Sequence, residues 1–308
     1  MSKEIDISII IVSSKIDFLS TCLDSLSSSL SSLKWEIILI DNASKDRIDK
    51  FISQKYPYVK VLRREFNGGF GENNNMGMRI AKGRYVLLLN DDTKIIDRKI
   101  FKEMISWMDQ HPQVGLSSCG LVNPDKVTLQ GSGGYFPTLP RVFAWMTFLD
   151  DLPFVGNLIK SYHPMHPNFV LNTNEEYYKK PHRQDWVTGA FFLMRKDAMD
   201  QVGVFDEDFF LYVEEVELAY RTSKAGWEIW YLPHWKTVHF GMSTNGSENA
   251  TIMEMQNLQL LYKKHMPLWQ IIPLKILLYI GIVLRIVLYT TILNFKVARI
   301  YVKALFRV

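Results

Sequence analysis

Cysteine is scarce in this chain: 308 residues hold two, Cys22 and Cys119, far apart and in no metal-ligand spacing. That argues against a disulfide framework and suits a reducing compartment. Neither G-x-G-x-x-G nor a Walker sequence occurs, so neither a dinucleotide fold nor a P-loop is supported. Internal repeats are absent, and the one biased stretch is the serine cluster Ser25–Ser32. The start, MSKEIDISIII, lacks the basic opening, long apolar core and small-residue cleavage site of a signal peptide. Acidic residues are missing beyond Glu254, where Lys263, Lys264, Lys275, Arg285, Lys296, Arg299, Lys303 and Arg307 follow. The remainder carries 28 basic against 32 acidic residues, so a net charge of +4 hides a mildly acidic body and a basic, apolar tail. Such an asymmetry predicts a body in water and a tail on an anionic membrane surface. Nucleic-acid binding is disfavoured, because the basic residues are spread through aliphatic runs and form no compact patch.

What is present is alternation. Apolar runs at 5–12, 35–40, 59–62 and 85–89 read as strands, and helix-period segments at 17–30, 46–56 and 74–81 lie between them. Strands alternating with helices predict an α/β fold with a mainly parallel sheet flanked by helices. Ligands of such sheets bind outside the carboxyl ends of the strands. From about 120 to 184 glycines, prolines and aromatics predict an irregular insertion; strands return at 185–195 and in WEIWYLP, stopped by Pro233, with a helix over 214–225 ended by Gly226.

Five stretches carry chemistry. In YVLLLNDDT a buried strand ends in Asn90, Asp91 and Asp92. Two adjacent carboxylates there call for a divalent cation, Mg2+ or Mn2+ by their oxygen ligands, or else mark a turn. EFNGGFGENNNMG (65–77) lets backbone approach a ligand closely, or caps a helix as a loop. In DNAS, Asp41 is suited to accept the N3–H of a uracil or thymine, and Ser44 to cap the next helix. In FDEDFFLYVEEVELAYR the acids at helical spacing form a solvated face, or Glu215 serves as a general base. In VHFGMS, His239 is a metal ligand, a donor to phosphate, or structural.

Taken in order, DNAS, NGGFGENNNMG, KGRYVLLLNDDT, DWVTGAFFLMR, FDEDFFLYVEEVEL and VHFGMS resemble the family 2 inverting glycosyltransferases, most closely the rhamnosyltransferase-like branch. The match spans about residues 5 to 245. It implies the GT-A nucleotide-sugar-binding fold: a glycosyltransferase domain over 1–250, with a nucleotide-sugar-binding half (1–118) and an acceptor half (119–250), followed by a C-terminal membrane-associated helical region (251–308). It also implies roles. Asp41 holds the pyrimidine base. Asn67, Gly68, Gly69, Phe70 and Gly71, with Asn74 or Asn75, line the donor, and Asn42, Asn90, Asp91, Trp186 and Gly189 complete its site. Asp92, the last position of a D-x-D motif whose first is Asn90, binds Mg2+ or Mn2+ with His239. Glu215 is the catalytic base, with Glu214 beside it able to share the role. Two positions depart from the family further: Glu215 replaces an Asp, and Ser13-Ser14 replaces Tyr-Asn.

The expected reaction moves a sugar, rhamnose from dTDP-rhamnose by branch resemblance, onto a saccharide or lipid-linked saccharide in cell-surface polysaccharide synthesis. A UDP-hexose-dependent transferase and a non-catalytic sugar-nucleotide-binding protein are the rivals; a nucleotidyltransferase lacks support because no basic, glycine-rich triphosphate loop opens the chain. The tail 267–295 approaches membrane length, but a central Arg285 costs ~2.5–3.5 kcal/mol on insertion scales. On a continuous helix Arg285, Lys296, Arg299 and Lys303 share a side, which predicts an interfacial helix at the cytoplasmic face of the membrane, with a spanning helix or a homodimer contact as alternatives.

Overall fold

The computed structural model describes residues 5–152, 158–163, 179–241 and 248–308. Met242 and Ser243 of the VHFGMS stretch, and parts of the 120–184 segment, lie outside the described residues. The chain divides into two compact units: Met1–Gly133 with Glu175–Phe210 and Glu214–Met242, and Gly134–Asn174 with Leu211–Val213 and Ser243–Val308.

The first unit is built on one mixed sheet. The strands of the described residues are β1 (Ile5–Ser13), β2 (Trp35–Asp41), β3 (Val59–Arg63), β4 (Gly83–Asn90), β5 (Thr93–Ile95), β6 (Val114–Val122), β7 (Gly133–Gly134), β8 (His182–Arg183), β9 (Trp186–Val187), β10 (Phe191–Arg195) and β11 (Glu228–His239); β7 pairs with β9 in a separate two-stranded sheet, and the others form the main sheet, with β8 on β11. The order across the main sheet is β3-β2-β1-β4-β10-β6-β11-β5. β1 to β4 are mutually parallel, as the alternation predicts, and β6 runs parallel to β11. β10 lies antiparallel between β4 and β6, and β5 antiparallel to β11. Helices α1 (Leu19–Ser27), α2 (Ile48–Lys55), α3 (Phe70–Met78), α4 (Ile100–Gln110), α6 (Lys196–Val202) and α7 (Glu214–Lys224) accompany it; α5 (Leu139–Met146) belongs to the second unit.

Because the central strands are buried on both faces, they are nearly uninterrupted Ile, Leu and Val. On one face Ile7, Ile9, Ile11, Leu39, Leu87 and Leu89 pack with Leu19, Cys22, Leu23 and Leu26 of α1. On the other, α3 sits so close to β1 that a Cβ on Gly77 would stand 2.6 Å from Ile10 Cγ2.

Several elements differ from the sequence expectation, each for a local reason. α3 begins at Phe70, because Gly69 takes the extended N-cap conformation (φ −67°, ψ 167°). β11 runs through Pro233 to His239: its register on β6 shifts between Leu232 and Lys236, so the proline falls where the ladder is already interrupted. The 185–195 strand is two pieces, β9 and β10. Gly226 ends α7 at φ +95°, as expected of a glycine C-cap.

The second unit is helical: α5 (Leu139–Met146), α8 (Glu248–His265), α9 (Ile271–Thr291) and α10 (Phe295–Leu305). α5 emerges from the stretch read as irregular; its Pro140 occupies the first turn, where no N–H is needed. The tail is not one continuous helix. It breaks at Leu293, in left-handed conformation (φ 59°), and restarts under an Asn294 side chain that accepts from Val297 N–H. Arg285 therefore does not share a face with Lys296 and Arg299. It is buried, donating to the carbonyls of Met146 (2.8 Å), Gly281 (3.2 Å) and Trp145 (2.9 Å) and lying 4.3 Å from the Phe148 ring centre. The bonds to Met146 and Trp145 bring side-chain donors to carbonyls at the end of α5.

Candidate functional site

Strand registers put the candidate residues along one edge. Ser13 pairs with Asp41, Val12 with Asn90, and Asp41 with Arg63, all at carboxyl ends of parallel strands. That is where an open α/β sheet holds its ligands.

At the centre, Ser13 donates to Asp91 Oδ2 at 2.5 Å. The Asp91 carboxyl is pushed up to about 6 by desolvation and by the neighbouring Asp92, against the pull of the Ser13 hydroxyl. Asp92 is buried, and its Oδ1 stands 3.3 Å from His239 Nε2. β11 carries His239 opposite Thr93, and the amide of Phe240 donates to the Asp92 carbonyl at 2.9 Å, so the two side chains are held together by backbone on both sides. Asn90 adds rigidity: its amide donates to Ala190 and its carbonyl accepts from Thr93 Oγ1.

The donor set suits a divalent ion shared with a substrate. Among the described residues no group of three His, Cys, Asp or Glu could hold a metal alone. Asp92 and His239 supply one carboxylate and one imidazole, leaving the remaining positions to water and phosphate oxygens, the usual arrangement for Mg2+ or Mn2+ at a diphosphate.

Asp41 is fully buried. Its Oδ1 accepts from Ser44 N–H (2.9 Å), and its Oδ2 from Arg63 Nη1 (2.5 Å) and Asp49 N–H (3.3 Å). Ser44 Oγ accepts from the N–H of Ile48, the first residue of α2, but the N-cap position expected for Ser44 falls on Arg47, which is in left-handed conformation and makes no side-chain cap.

Next to it the glycine loop is latched. Asn42 Oδ1 accepts from Gly68 N–H (2.9 Å), and its Nδ2 donates to Asn67 Oδ1 (2.6 Å). Phe70 N–H donates to Phe210 O, and a Cβ on Gly69 would lie 2.5 Å from that oxygen, so only glycine fits. Gly189 faces the Phe70 ring as closely, at 2.6 Å for a built Cβ. Gly71 approaches Phe205. Asn74 bonds back to the Phe70 carbonyl, and Asn75 spends its amide on Phe205 backbone and Glu207. Asn73, not singled out in the sequence, ties the Gly68 and Gly69 carbonyls.

Glu214 and Glu215 open α7, where the helix dipole favours acids. They differ in environment. Glu214 is buried, its Oε2 has no hydrogen-bond partner among the described residues, and burial together with the Glu215 charge drives its carboxyl well above the ordinary range. Glu215 is only partly buried. Immediately before the helix, Tyr212 and Val213 both have positive φ (70° and 71°), costly for a β-branched residue. Trp186, in β9, is buried.

Three more residues that the sequence reading passed over belong here besides Asn73. Arg63 and Glu207 bind Asp41 and Asn75; Gln130 Oε1 lies 2.8 Å from His239 Nδ1. Their partners are distant in sequence, so no local pattern marks them.

Comparison with known proteins follows the same lines. The profile of "Glycosyl transferase family 2" matches residues 8–203. The N-acetylglucosaminyl-diphospho-decaprenol L-rhamnosyltransferase of Mycobacterium tuberculosis is 25% identical over 226 residues, covering 70% of this chain and 69% of that protein. Rhamnosyltransferase WbbL of Escherichia coli K12 is 26% identical over 191 residues, 58% of this chain and 63% of that one. Among solved structures, mannosyltransferase PcManGT of Pyrobaculum calidifontis, in complex with GDP-Man and Mn2+, superposes with a TM-score of 0.56 at 15% identity, covering 98% of this chain and 74% of that one. GalNAc-T7 with UDP, GalNAc and Mn2+ gives 0.56 at 15% identity over 85% of this chain and 48% of its own.

Proposed function

The chain belongs to glycosyl transferase family 2, its rhamnosyltransferase-like branch, and from that premise we propose an inverting, metal-dependent transfer of rhamnose from dTDP-rhamnose to a lipid-linked saccharide. The carrying observation is the cluster at the carboxyl ends of the strands: Asp92 and His239 face each other at 3.3 Å beside Asp91, and Ser13 joins Asp91 to the end of β2, after which Asn42 latches the glycine loop. Mn2+ accompanies both structural neighbours, with GDP-Man in one and with UDP and GalNAc in the other, which supports a nucleotide-sugar donor and a divalent ion here.

In this reading the Asn42-latched loop of Asn67–Gly71 lies against the donor backbone, with Asn74, Asn75, Asn90, Trp186 and Gly189 around it, and Asp41 reads the base as Arg63 shifts from its Oδ2. Asp92 and His239 hold Mg2+ or Mn2+, which when bound offsets negative charge on the departing diphosphate. Glu215 accepts the proton of the acceptor hydroxyl while that oxygen bonds to the anomeric carbon from the face opposite the nucleotide. The bond from that carbon to the diphosphate oxygen breaks, its electron pair leaves with the nucleoside diphosphate, and the anomeric configuration inverts. Burial, and after it the Glu215 charge, raises the Glu214 carboxyl well above the ordinary range, an environment unlike that of the partly buried Glu215 to which the base role is given.

Attachment at the cytoplasmic face of the membrane fits the second unit. Ile272, Ile276, Ile280, Val283 and Val287 form an exposed apolar stripe on α9, and Lys296 and Arg299 are exposed beyond it. Leu268–Thr291 is also long and apolar enough to cross a membrane by length and composition, with mean hydropathy 2.4. With Arg285 turned inward, the stripe carries no charge of its own, which favours burial in the interface of an anionic leaflet.

The test is donor turnover by purified protein with Mn2+ or Mg2+. Release of dTDP from dTDP-rhamnose, abolished by chelation, is expected. Release of UDP from a UDP-hexose instead selects the rival donor, and donor binding without turnover in the presence of a lipid-linked acceptor selects the non-catalytic reading.

A further inference from the structure

His239 reaches the site through one ring nitrogen, and its other ring nitrogen is held by a hairpin. β6 ends at Val122, the chain turns through Asn123–Thr128, and Val122 bridges Leu129 on return. The turn is closed by Asn123 N–H to Thr128 O (2.8 Å), by Asp125 accepting from the amides of Val127 and Thr128, and by Gln130 N–H to Leu121 O (2.8 Å). Gln130 is thus mounted on rigid backbone.

Its amide has one orientation. Nε2 lies 2.7 Å from the carbonyl oxygen of His239 and 2.6 Å from Asn123 Oδ1. A main-chain carbonyl only accepts, so the nitrogen must face it and Oε1 must face the ring. Oε1 lies 2.8 Å from His239 Nδ1 and can only accept. The proton of the neutral ring is therefore on Nδ1, and the Nε2 lone pair points at Asp92 Oδ1, 3.3 Å away. Two acceptors facing each other at that distance need a cation between them or a proton on Nε2.

We infer that Gln130 is a positioning residue for the metal site: its two-sided grip on His239, at the ring and at the carbonyl, fixes the tautomer that presents Nε2 to a divalent ion beside Asp92. The inference rests on the proposed role of His239 as a ligand. An outer-shell partner on the non-ligating ring nitrogen is worth roughly 10–100-fold in metal affinity where it has been removed.

The experiment has two readouts besides turnover. Imidazole 15N shifts of histidine-labelled, metal-free protein, with His239 identified by its loss in His239→Ala, report the tautomer at a pH where the ring is neutral. Mn2+ titrations followed by EPR report affinity for the metal alone in wild type, Gln130→Met, His239→Ala and the double variant. The expected result is Nδ1–H in wild type, a roughly 10–100-fold weaker Mn2+ site in Gln130→Met, and no further loss when that change is added to His239→Ala. Nε2–H in wild type overturns the inference, as does Mn2+ affinity of Gln130→Met within about twofold of wild type, or an equal loss in the His239→Ala background. If Gln130→Met does not fold, the wild-type tautomer decides. If His239→Ala itself binds Mn2+ like wild type, the ligand role fails and the inference falls with it; if it binds weakly and Gln130→Met does not, this inference alone falls.

Discussion

Arg63 Nη1 stands 2.5 Å from Asp41 Oδ2, and the two are register partners at the ends of β3 and β2. The arginine is 30% exposed and the aspartate fully buried, so Arg63 is the cation that makes a buried carboxylate tolerable there. For a base to read the same carboxylate, the Arg63 guanidinium on Oδ2 has to shift, because Asp41 has no exposed surface of its own. Asp41→Asn should weaken nucleotide binding by roughly 10–100-fold, the worth of one charge-assisted hydrogen bond. Arg63→Met should lower stability by about 1–3 kcal/mol, because it strands that charge. Calorimetric titration with dTDP and urea unfolding check the two effects separately.

The metal assignment predicts a specific pattern in kinetics. Asp92→Ala and His239→Ala should each lower kcat by roughly 10²–10³-fold, in line with the loss of one charge-stabilising contact, and raise the Mn2+ concentration giving half-maximal rate. Asp92→Ala activity matching wild type across a Mn2+ titration would remove Asp92 from the metal site.

The adjacent glutamates should separate cleanly. Glu215→Gln should reduce transfer by roughly 10²–10⁴-fold, the usual contribution of a general base, while leaving nucleotide affinity near that of wild type. Glu214→Gln should keep most of the activity. Comparable losses in single-turnover transfer for both variants would show that the acids act as a unit.

Glu214 also makes a pH prediction. Its folded carboxyl titrates well above its unfolded value, through burial first and the Glu215 charge second. The folded protein then binds more protons than the unfolded chain, so this group's contribution is full below the unfolded value and is lost as pH rises through the folded one. Glu214→Gln removes that dependence. Relative to wild type its stability should climb as pH rises above the unfolded value, by as much as about 1.4 kcal/mol per pH unit while Glu214 stays protonated. Urea midpoints of both proteins between pH 5 and 8 test it; parallel curves would mean that Glu214 ionises normally.

Much of this site is legible in the sequence for one physical reason. Parallel strands buried on both faces read as apolar runs, and a polar residue at the end of such a run must sit at the sheet edge; that places Asp41 and Asn90–Asp92 before any coordinates exist. β10 is a different case. Phe191–Arg195 looks like any apolar strand, and nothing local says that it inserts antiparallel between β4 and β6. The continuation of β11 past Pro233, which carries His239 to Asp92, depends on a bulge against β6 that only the partner strand reveals. The tail shows the same limit: the helix pattern is real, but Asn294 restarts it, and burial of Arg285 against α5 carbonyls comes from contacts more than a hundred residues apart in the chain.

That burial decides what the tail offers a membrane. An arginine exposed in the middle of α9 would resist insertion by ~2.5–3.5 kcal/mol, whereas one bonded to Met146, Gly281 and Trp145 leaves the apolar stripe intact. Two variants pull in opposite senses. Ile276→Asp with Ile280→Asp places charge on the stripe and should abolish co-flotation with vesicles containing anionic lipid, with little effect on folding because both side chains are exposed. Lys296→Gln with Arg299→Gln should weaken flotation by roughly 1 kcal/mol per charge and reduce its sensitivity to salt, since those residues supply attraction to the headgroups and not burial. If both pairs float like wild type, the membrane contact is elsewhere, and a second copy of the chain becomes the occupant to test for that stripe by light scattering.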